Sequence, residues 1–299
     1  MKVKLDIRDE RVRQIIDADA ELERVADGFR FLEGPIWNPS QNCLMFSDIL
    51  GNGIYRWNAQ DGVTLFRANS YMANGNTYDL QGNILTCEHA TSRVTCTKPD
   101  GTYAVLASHY EGKQLNSPND IVVKRDGAIY FTDPASGRSA GYGVPRKQEL
   151  PFQGVYRLNP ENQSLTLLVD DFSKPNGLCF SSDETRLFVN DTDRQHIRVF
   201  DVKADGTLAS GRLWAELPEA GKDRGVADGM KIDTAGHLFC SGPGGIQIFD
   251  EYAVCLGRIL TPEFAANFTW GAEDMRSLFI TAKTSLYRLK VNVPGRKLF

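Results

Sequence analysis

The sequence predicts an all-β protein and, within that class, a six-bladed β-propeller. Three observations lead there. A polar signal, an apolar run, a turn with Gly, Asp or Asn, and a β-rich stretch recur six times along the 299 residues. The dipeptides Asp61-Gly62, Asp100-Gly101, Asp126-Gly127 and Asp205-Gly206, strong hairpin signals, sit between apolar runs. Apart from residues 8–16, where an amphipathic helical turn fits, no stretch keeps the 3.6-residue period of a helix.

The six copies are EGPIWNPSQNCLMFSD, NGNTYDLQGNILTCEH, NDIVVKRDGAIYFTD, NGLCFSSDETRLFVND, DGMKIDTAGHLFCSG and TWGAEDMRSLFITA. Each is followed by a further strand-like run: GIYRWN, SRVTCTK, GVYRLN, HIRVFDV, GIQIFD and SLYRLKV. A third run, as in VTLFRA, YAVLAS and LTLLVD, often closes the unit. Anchored at Glu33, Asn74, Asn119, Asn176, Asp228 and near Thr269, the units recur at the roughly 40–50-residue interval of four-stranded propeller blades. The third and fourth run longer, and residues 135–153 read as a loop inserted in the third. The last unit, 269–292, is one strand short. Residues 20–31 are expected to supply its outer strand and close the ring, because an open array leaves unpaired edges. The rival architecture, an open β-solenoid, conflicts with the variable period. The expected organisation is an N-terminal extension over 1–19 and one propeller over 20–299.

Composition narrows the function. An apolar content of 41% excludes a disordered chain. The 34 basic against 38 acidic residues, net charge −4, show no basic clustering, so neither nucleic acid nor a membrane surface is an expected partner. No run of about 18 apolar residues offers a membrane-spanning helix. The N-terminal residues lack a leader's apolar stretch, and a cytoplasmic location is expected. Cys43, Cys87, Cys96, Cys179, Cys240 and Cys255 are scattered without a C-x-x-C pair, as for buried reduced thiols and unlike a disulfide framework or zinc site.

In a propeller the innermost strands line a central channel, so equivalent positions of different units converge there. Glu33, Asn74, Asn119, Asn176 and Asp228 occupy one such position. Two carboxylates with three carboxamides make an all-oxygen set, suited to a hard divalent cation and lacking the soft ligands of zinc or copper sites. Asn or Asp before Gly is also an ordinary turn former. That accounts for Asn74-Gly75, Asn176-Gly177 or Asp228-Gly229 taken singly, but not for Glu33.

His89, beside Glu88, falls where it faces the channel mouth, either contacting substrate or serving as a hydrogen-bonded structural histidine. Asn74 either binds substrate hydroxyls or completes the polar channel. His109, His196 and His237 lack acidic or cysteine neighbours at ligand spacing and read as structural or exposed. Asp48 and Asp133, at strand ends, read as partners of turn backbone. Neither a G-x-S-x-G nucleophile elbow nor a G-x-x-x-x-G-K-[ST] phosphate loop occurs.

The segments FLEGPIW, LNSPNDIVV, YFTDP, KPNGLCFSSD and ADGMKID, in that order, resemble the signature blocks of the gluconolactonase family, which includes regucalcin and the luciferin-regenerating enzymes. Diisopropyl fluorophosphatase is a more distant relative. GPGGIQIFD and the closing TPEFAANFTWGAEDMRSLFITAKTSLYRLKV are most similar to bacterial sugar lactonases, and the resemblance runs over residues 30–290.

It implies a six-bladed propeller with one catalytic divalent cation in the central channel, usually Ca²⁺, with Mg²⁺, Mn²⁺ or Zn²⁺ as alternatives. By motif, Glu33 of L-E-G-P, Asn176 of K-P-N-G and Asp228 of A-D-G match the metal ligands, and Asp228 also matches the proposed catalytic base. Asn119 of S-P-N-D matches an asparagine that contacts metal in some members and substrate in others. Animal members carry arginine two residues before it; here Ser117 stands there, so contacts on that side differ. The implied activity is hydrolysis of a sugar lactone to its aldonic acid; the sequence leaves both a monomer and a homodimer open. Two readings stay open beside it: hydrolysis of organophosphates or other activated esters at the same metal, and a non-enzymatic calcium-binding propeller.

Overall fold

The computed structural model describes residues 1–217 and 225–297. Among them the strands form six antiparallel blades and a short two-stranded ladder, the architecture of a six-bladed β-propeller. From the channel outward, blade I runs Leu32–Asn38, Cys43–Asp48, Gly53–Asn58 and Gly62–Ala68. Blade II runs Ala73–Tyr78, Ile84–Glu88, Arg93–Thr97 and Tyr103–Ala107. Blade III runs Ile121–Val123, Ile129–Asp133, Gln153–Leu158 and Leu165–Phe172, and blade IV runs Pro175–Phe180, Arg186–Asp191, His196–Val202 and Leu208–Glu216. Blade V runs Met230–Ile232, Leu238–Gly242, Gly245–Phe249 and Cys255–Leu260.

Blade VI has three strands of its own, Ala265–Gly271, Ser277–Ala282 and Ser285–Lys290. Its outer place is taken by Leu22–Asp27, which pairs with Ser285–Lys290 from Leu22 opposite Leu289 to Asp27 opposite Ser285. The segment expected to close the ring does so. Ahead of it, Lys4–Ile7 adds a fifth strand to blade V against Cys255–Leu260. The one-turn α-helix Val12–Ile15 falls where the sequence places one, and a 3-10 turn, Ser136–Arg138, lies in the inserted loop. Val3, Val12, Ile15 and Ile16 are buried with Leu22, Phe239, Phe268 and Leu278, so this N-terminal segment packs at the junction of blades V, VI and I. The expected end at residue 299 lies outside the described residues.

Middle strands of each blade carry side chains on two faces, and each face meets a neighbouring blade. That explains near-continuous apolar runs such as CLMFSD and RLFVND, buried almost throughout. Leu85, Cys87 and Val94 of blade II pack on Phe131 and Tyr156 of blade III, and Leu178 and Val189 of blade IV on Tyr130 and Val155. All six cysteines are free, five buried and Cys255 half-buried. Among the described residues no helix is long and apolar enough to cross a membrane.

Candidate metal and substrate site

The site begins as a backbone irregularity. In four inner strands the register shifts near the first residues: between Glu33 and Ile36, Ala73 and Asn76, Pro175 and Leu178, and Ala265 and Asn267. Such a bulge bends the strand and re-aims its side chains. Glycine makes two of these places workable. A Cβ on Gly34, whose φ is +55°, would lie 2.0 Å from the Asn74 carbonyl oxygen, and one on Gly177 2.1 Å from that of Asp228. Second strands then hold the next blade by its backbone. Ser47 Oγ donates to Asn74 O (2.8 Å), Thr132 Oγ1 to Asn176 O (2.7 Å), and Asn190 Nδ2 to Asp228 O.

Glu33, Asn74 and Asn176 lie one residue inside their strands, whereas Asn119 and Asp228 precede Ile121 and Met230 by two. All five are buried. Three of them meet: the Glu33 charge and the Asn176 amide both act on the Asp228 carboxyl. Asn176 gives an amide hydrogen to Thr192 Oγ1 (3.0 Å), leaving its oxygen for another partner. Glu33 Oε2 accepts from Gly34 N (2.8 Å) and from Asn267 Nδ2 (3.1 Å). Asn119 is fixed by its backbone, N to Thr132 O and O from Gly75 N, both 2.8 Å, and its side chain joins none of these bonds.

Burial dominates the electrostatics. It pushes the Glu33 carboxyl up to about 7 against the pull of the Gly34 N–H, and the Asp120 charge adds to the rise. It lifts Asp228 well above the carboxylate range, helped by the charges of Glu33 and Asp120. Asp120 is raised by burial too, with Lys231 opposing, and its buried Oδ2 has no hydrogen-bond partner. Buried, mutually repelling carboxyls and amide oxygens with lone pairs to spare fit a hard divalent cation. Among the described residues no three His, Cys, Asp or Glu side chains gather closely enough to hold a metal by themselves. A cation here therefore depends on the carboxamides as well as on the two carboxylates.

His89 is buried and stands between Asn74 and the inserted loop. Asn74 Nδ2 donates to its Nε2 (3.1 Å), and its Nδ1 faces the Tyr142 carbonyl oxygen at 2.9 Å, the pattern of a neutral Nδ1–H ring. Burial, opposed by the Tyr142 bond and aided by Arg146, pushes it down to about 4. The loop is tied down by two arginines. Arg138 Nε donates to Asn116 O (2.8 Å), and Arg146 Nη2 to His89 O (2.6 Å) and Ser92 Oγ (2.5 Å). The Tyr142 ring meets Phe31 edge-on at 5.2 Å, and Phe31 lies 6.1 Å from Phe264, so the loop crosses from blade III to blades I and VI.

Asp48 accepts from the backbone of Arg30, Phe31 and Gly51, and Asp133 from that of Asn116 and Ser117, the turn role expected for strand-end aspartates. Two expectations need correcting. His237 does have an acidic neighbour: its Nδ1 lies 2.8 Å from Asp233 Oδ2, a bond within one turn of blade V. The last blade's anchor is not near Thr269. Ala265 pairs with Ala282 as Leu32 pairs with Asp48, so Ala266 is the counterpart of Glu33. That apolar residue breaks the polar repeat, and Asn267 beside it reaches Glu33 instead. Asp120 also escaped notice, although it adjoins Asn119 in S-P-N-D. Tyr142 sits on a loop without a repeat to mark it.

Residues 31–284 match the family described as the SMP-30/Gluconolactonase/LRE-like region. A gluconolactonase of Zymomonas mobilis is 33% identical over 306 residues, spanning 95% of this chain and 85% of the relative. Among solved structures, a gluconolactonase from Xanthomonas campestris superposes with a TM-score of 0.88 at 35% identity, over 96% of this chain and 94% of that one. The calcium-binding protein regucalcin from Agrobacterium tumefaciens shares the fold, with a TM-score of 0.77 at 18% identity over 93% and 96% of the two chains. With the family match covering most of the propeller, the chain belongs to the SMP-30/gluconolactonase/LRE-like family.

Proposed function

We propose that this protein is a metal-dependent lactonase that opens aldonolactones, such as glucono-1,5-lactone, to aldonic acids. One observation carries the reading: Glu33, Asn176 and Asp228, far apart in sequence, meet in one buried cluster with more negative charge than its surroundings balance. The gluconolactonase relatives support the substrate class.

Glu33, Asn176 and Asp228 would hold the cation, with Asn119 beside them, and Ca²⁺ suits their oxygens best. When bound, a divalent cation supplies Lewis acidity at the lactone carbonyl and counters the oxyanion that forms there. Asp228 takes a proton from the attacking water, whose oxygen bonds to the carbonyl carbon. The ring C–O bond then breaks, and its oxygen leaves as an alcohol by accepting that proton. A base in this role contributes typically about 10²–10⁴-fold. Asn176, held by Thr192, favours the ionised form of the Asp228 carboxyl beside it. Asn74, fixed by His89, and Asn119 present amides to the ring hydroxyls.

The test is proton release in a pH-stat with glucono-1,5-lactone, using chelator-stripped protein restored separately with Ca²⁺, Mg²⁺, Mn²⁺ or Zn²⁺. Turnover above the spontaneous rate, dependent on added cation, is expected. Folded, metal-binding protein that turns over no aldonolactone with any of the four would overturn the reading.

A further inference from the structure

We propose that Tyr142, on the loop inserted in blade III, is a specificity-determining residue that closes the mouth of the site and selects lactones whose ring carries hydroxyl groups. The inference rests on the lactonase reading above and adds to it the residue that chooses among lactones.

Three features of the loop place Tyr142 at the site. Its carbonyl oxygen is bonded by His89, which in turn holds Asn74, so the backbone of residue 142 stands two hydrogen bonds from a side chain of the polar cluster. Its ring packs against Phe31, two residues before Glu33. Burial pushes its phenol up, and the charges of Asp228 and Glu33 add to the rise while Lys174 opposes. The ring thus faces residues of blade I and residues that lead into blades IV and V.

The loop is built to hold this position. Arg138 and Arg146 are bound by backbone carbonyls of 89, 115, 116 and 147, and Gly137 and Gly143 let the loop double back. A Cβ on Gly143 would lie 1.7 Å from Gly137 O, and one on Gly137 2.5 Å from the His89 ring. Yet Tyr142 itself keeps 42% of its surface exposed. A rigid, anchored loop that leaves a large aromatic half in solvent has not used that ring to build a core.

The chemistry of the ring indicates its ligand. Phe31, Tyr142 and Phe264 offer an apolar face to the C–H side of a sugar ring, while the phenol supplies a hydrogen-bonding tip. An unsubstituted lactone uses the face but not the tip. Asn74 has committed an amide hydrogen to His89, so its oxygen is the end available to a hydroxyl donor on the opposite wall.

The experiment compares glucono-1,5-lactone with δ-valerolactone on the calcium-loaded protein and its Tyr142→Phe and Tyr142→Ala variants. Binding of the corresponding polyhydroxylated and plain δ-lactams, which resist hydrolysis, is followed by calorimetry. Tyr142→Phe is expected to lower kcat/KM for gluconolactone about tenfold more than for valerolactone, and to weaken the hydroxylated lactam by a similar factor relative to the plain one. Tyr142→Ala should narrow the preference further. Unchanged ratios in both variants, or equal losses on both lactones, would overturn the inference, the second because it marks a structural role. Wild-type protein that hydrolyses neither lactone sinks the lactonase reading, and the lactam titrations then judge Tyr142 alone: variants that bind both lactams as wild type does count against it. Melting temperatures within a degree or two of wild type exclude misfolding.

Discussion

The two ends of the central channel are made by the same six strands and have opposite chemistry. At the end where those strands begin, the bulged strands bring Glu33 and Asn176 beside Asp228 and Asn74 against His89, and the lining is polar and acidic. A few residues further along, Ile36, Ile121, Leu178, Phe180 and Met230 line a mainly apolar cavity. The C-terminal segment crosses that end: Gly295 N bonds Met275 O (2.8 Å), Thr234 N bonds Pro294 O (3.0 Å), and Arg296 reaches Glu184 (2.8 Å). The contrast separates two uses of buried charge. Glu184 is matched by cations, so it holds structure together. Glu33 and Asp228 repel each other, and the amides with the more distant charge of Lys231 leave both carboxyls raised, which leaves room for a ligand cation.

The sharpest way to break this comparison is to neutralise one carboxylate at the acidic end. Asp228→Asn is expected to lower kcat/KM for glucono-1,5-lactone by about 10³-fold or more. In chelator-treated protein it should raise the melting temperature or leave it unchanged, since it removes a repelling charge. A variant that keeps a tenth of the activity would show that Asp228 is not the base.

Removing the cation comes next. Chelation should abolish turnover, and Ca²⁺ should restore both activity and several degrees of melting temperature. The gain should depend on pH. Glu33 binds its proton with a value of about 7 in the folded chain against an ordinary 4.5. Between those values the folded state holds more protons than the unfolded one, so metal-free stability from this group falls as pH rises through the window. Ca²⁺ should therefore raise the melting temperature more at pH 8 than at pH 5. Equal shifts at the two pH values would argue against a site at Glu33 and Asp228.

The far end predicts the reverse balance. Glu184→Ala should cost about 1–2 kcal/mol in denaturant unfolding, because the buried carboxylate also accepts from Arg125 N (3.1 Å), while kcat/KM stays within twofold. A large activity loss there would merge the two ends into one functional unit. The smallest effect belongs to His89→Gln, expected to raise KM a few-fold by loosening Asn74 and the loop. With the imidazole pushed down to about 4, the pH–rate profile of wild type and variant should keep the same shape between pH 5.5 and 8. A titration lost in the variant would show that His89 changes charge during turnover.

Much of this was legible in the sequence because its signals are local and repeated. Turn dipeptides and apolar runs mark the blades one by one. The missing strand of the last unit points to the N-terminal segment, because a ring with five complete blades and a short sixth must borrow one. The polar anchors at Glu33, Asn74, Asn119, Asn176 and Asp228 could be aligned for the same reason. What stayed hidden depends on neighbours rather than on pattern. Lys4–Ile7 is a four-residue strand whose partner is some 250 residues away, and alternation over four residues specifies nothing. Asn267 acts where the repeat has Ala266, so the periodic signal stops one residue short of it. Tyr142 belongs to an insertion, and its place follows from Arg138 and Arg146, which no spacing rule connects to the channel.

The borrowed strand also sets the order of events in synthesis. Leu22–Asp27 is made long before Ser285–Lys290 and must wait for it before the circle can close. The cluster straddles the same seam, because Glu33 of blade I is held by Asn267 of blade VI, 234 residues later. A nascent chain, or one truncated before blade VI, can have five well-formed blades and still lack the contact that orients Glu33. Activity should therefore appear late and abruptly during refolding, with ring closure, rather than growing blade by blade.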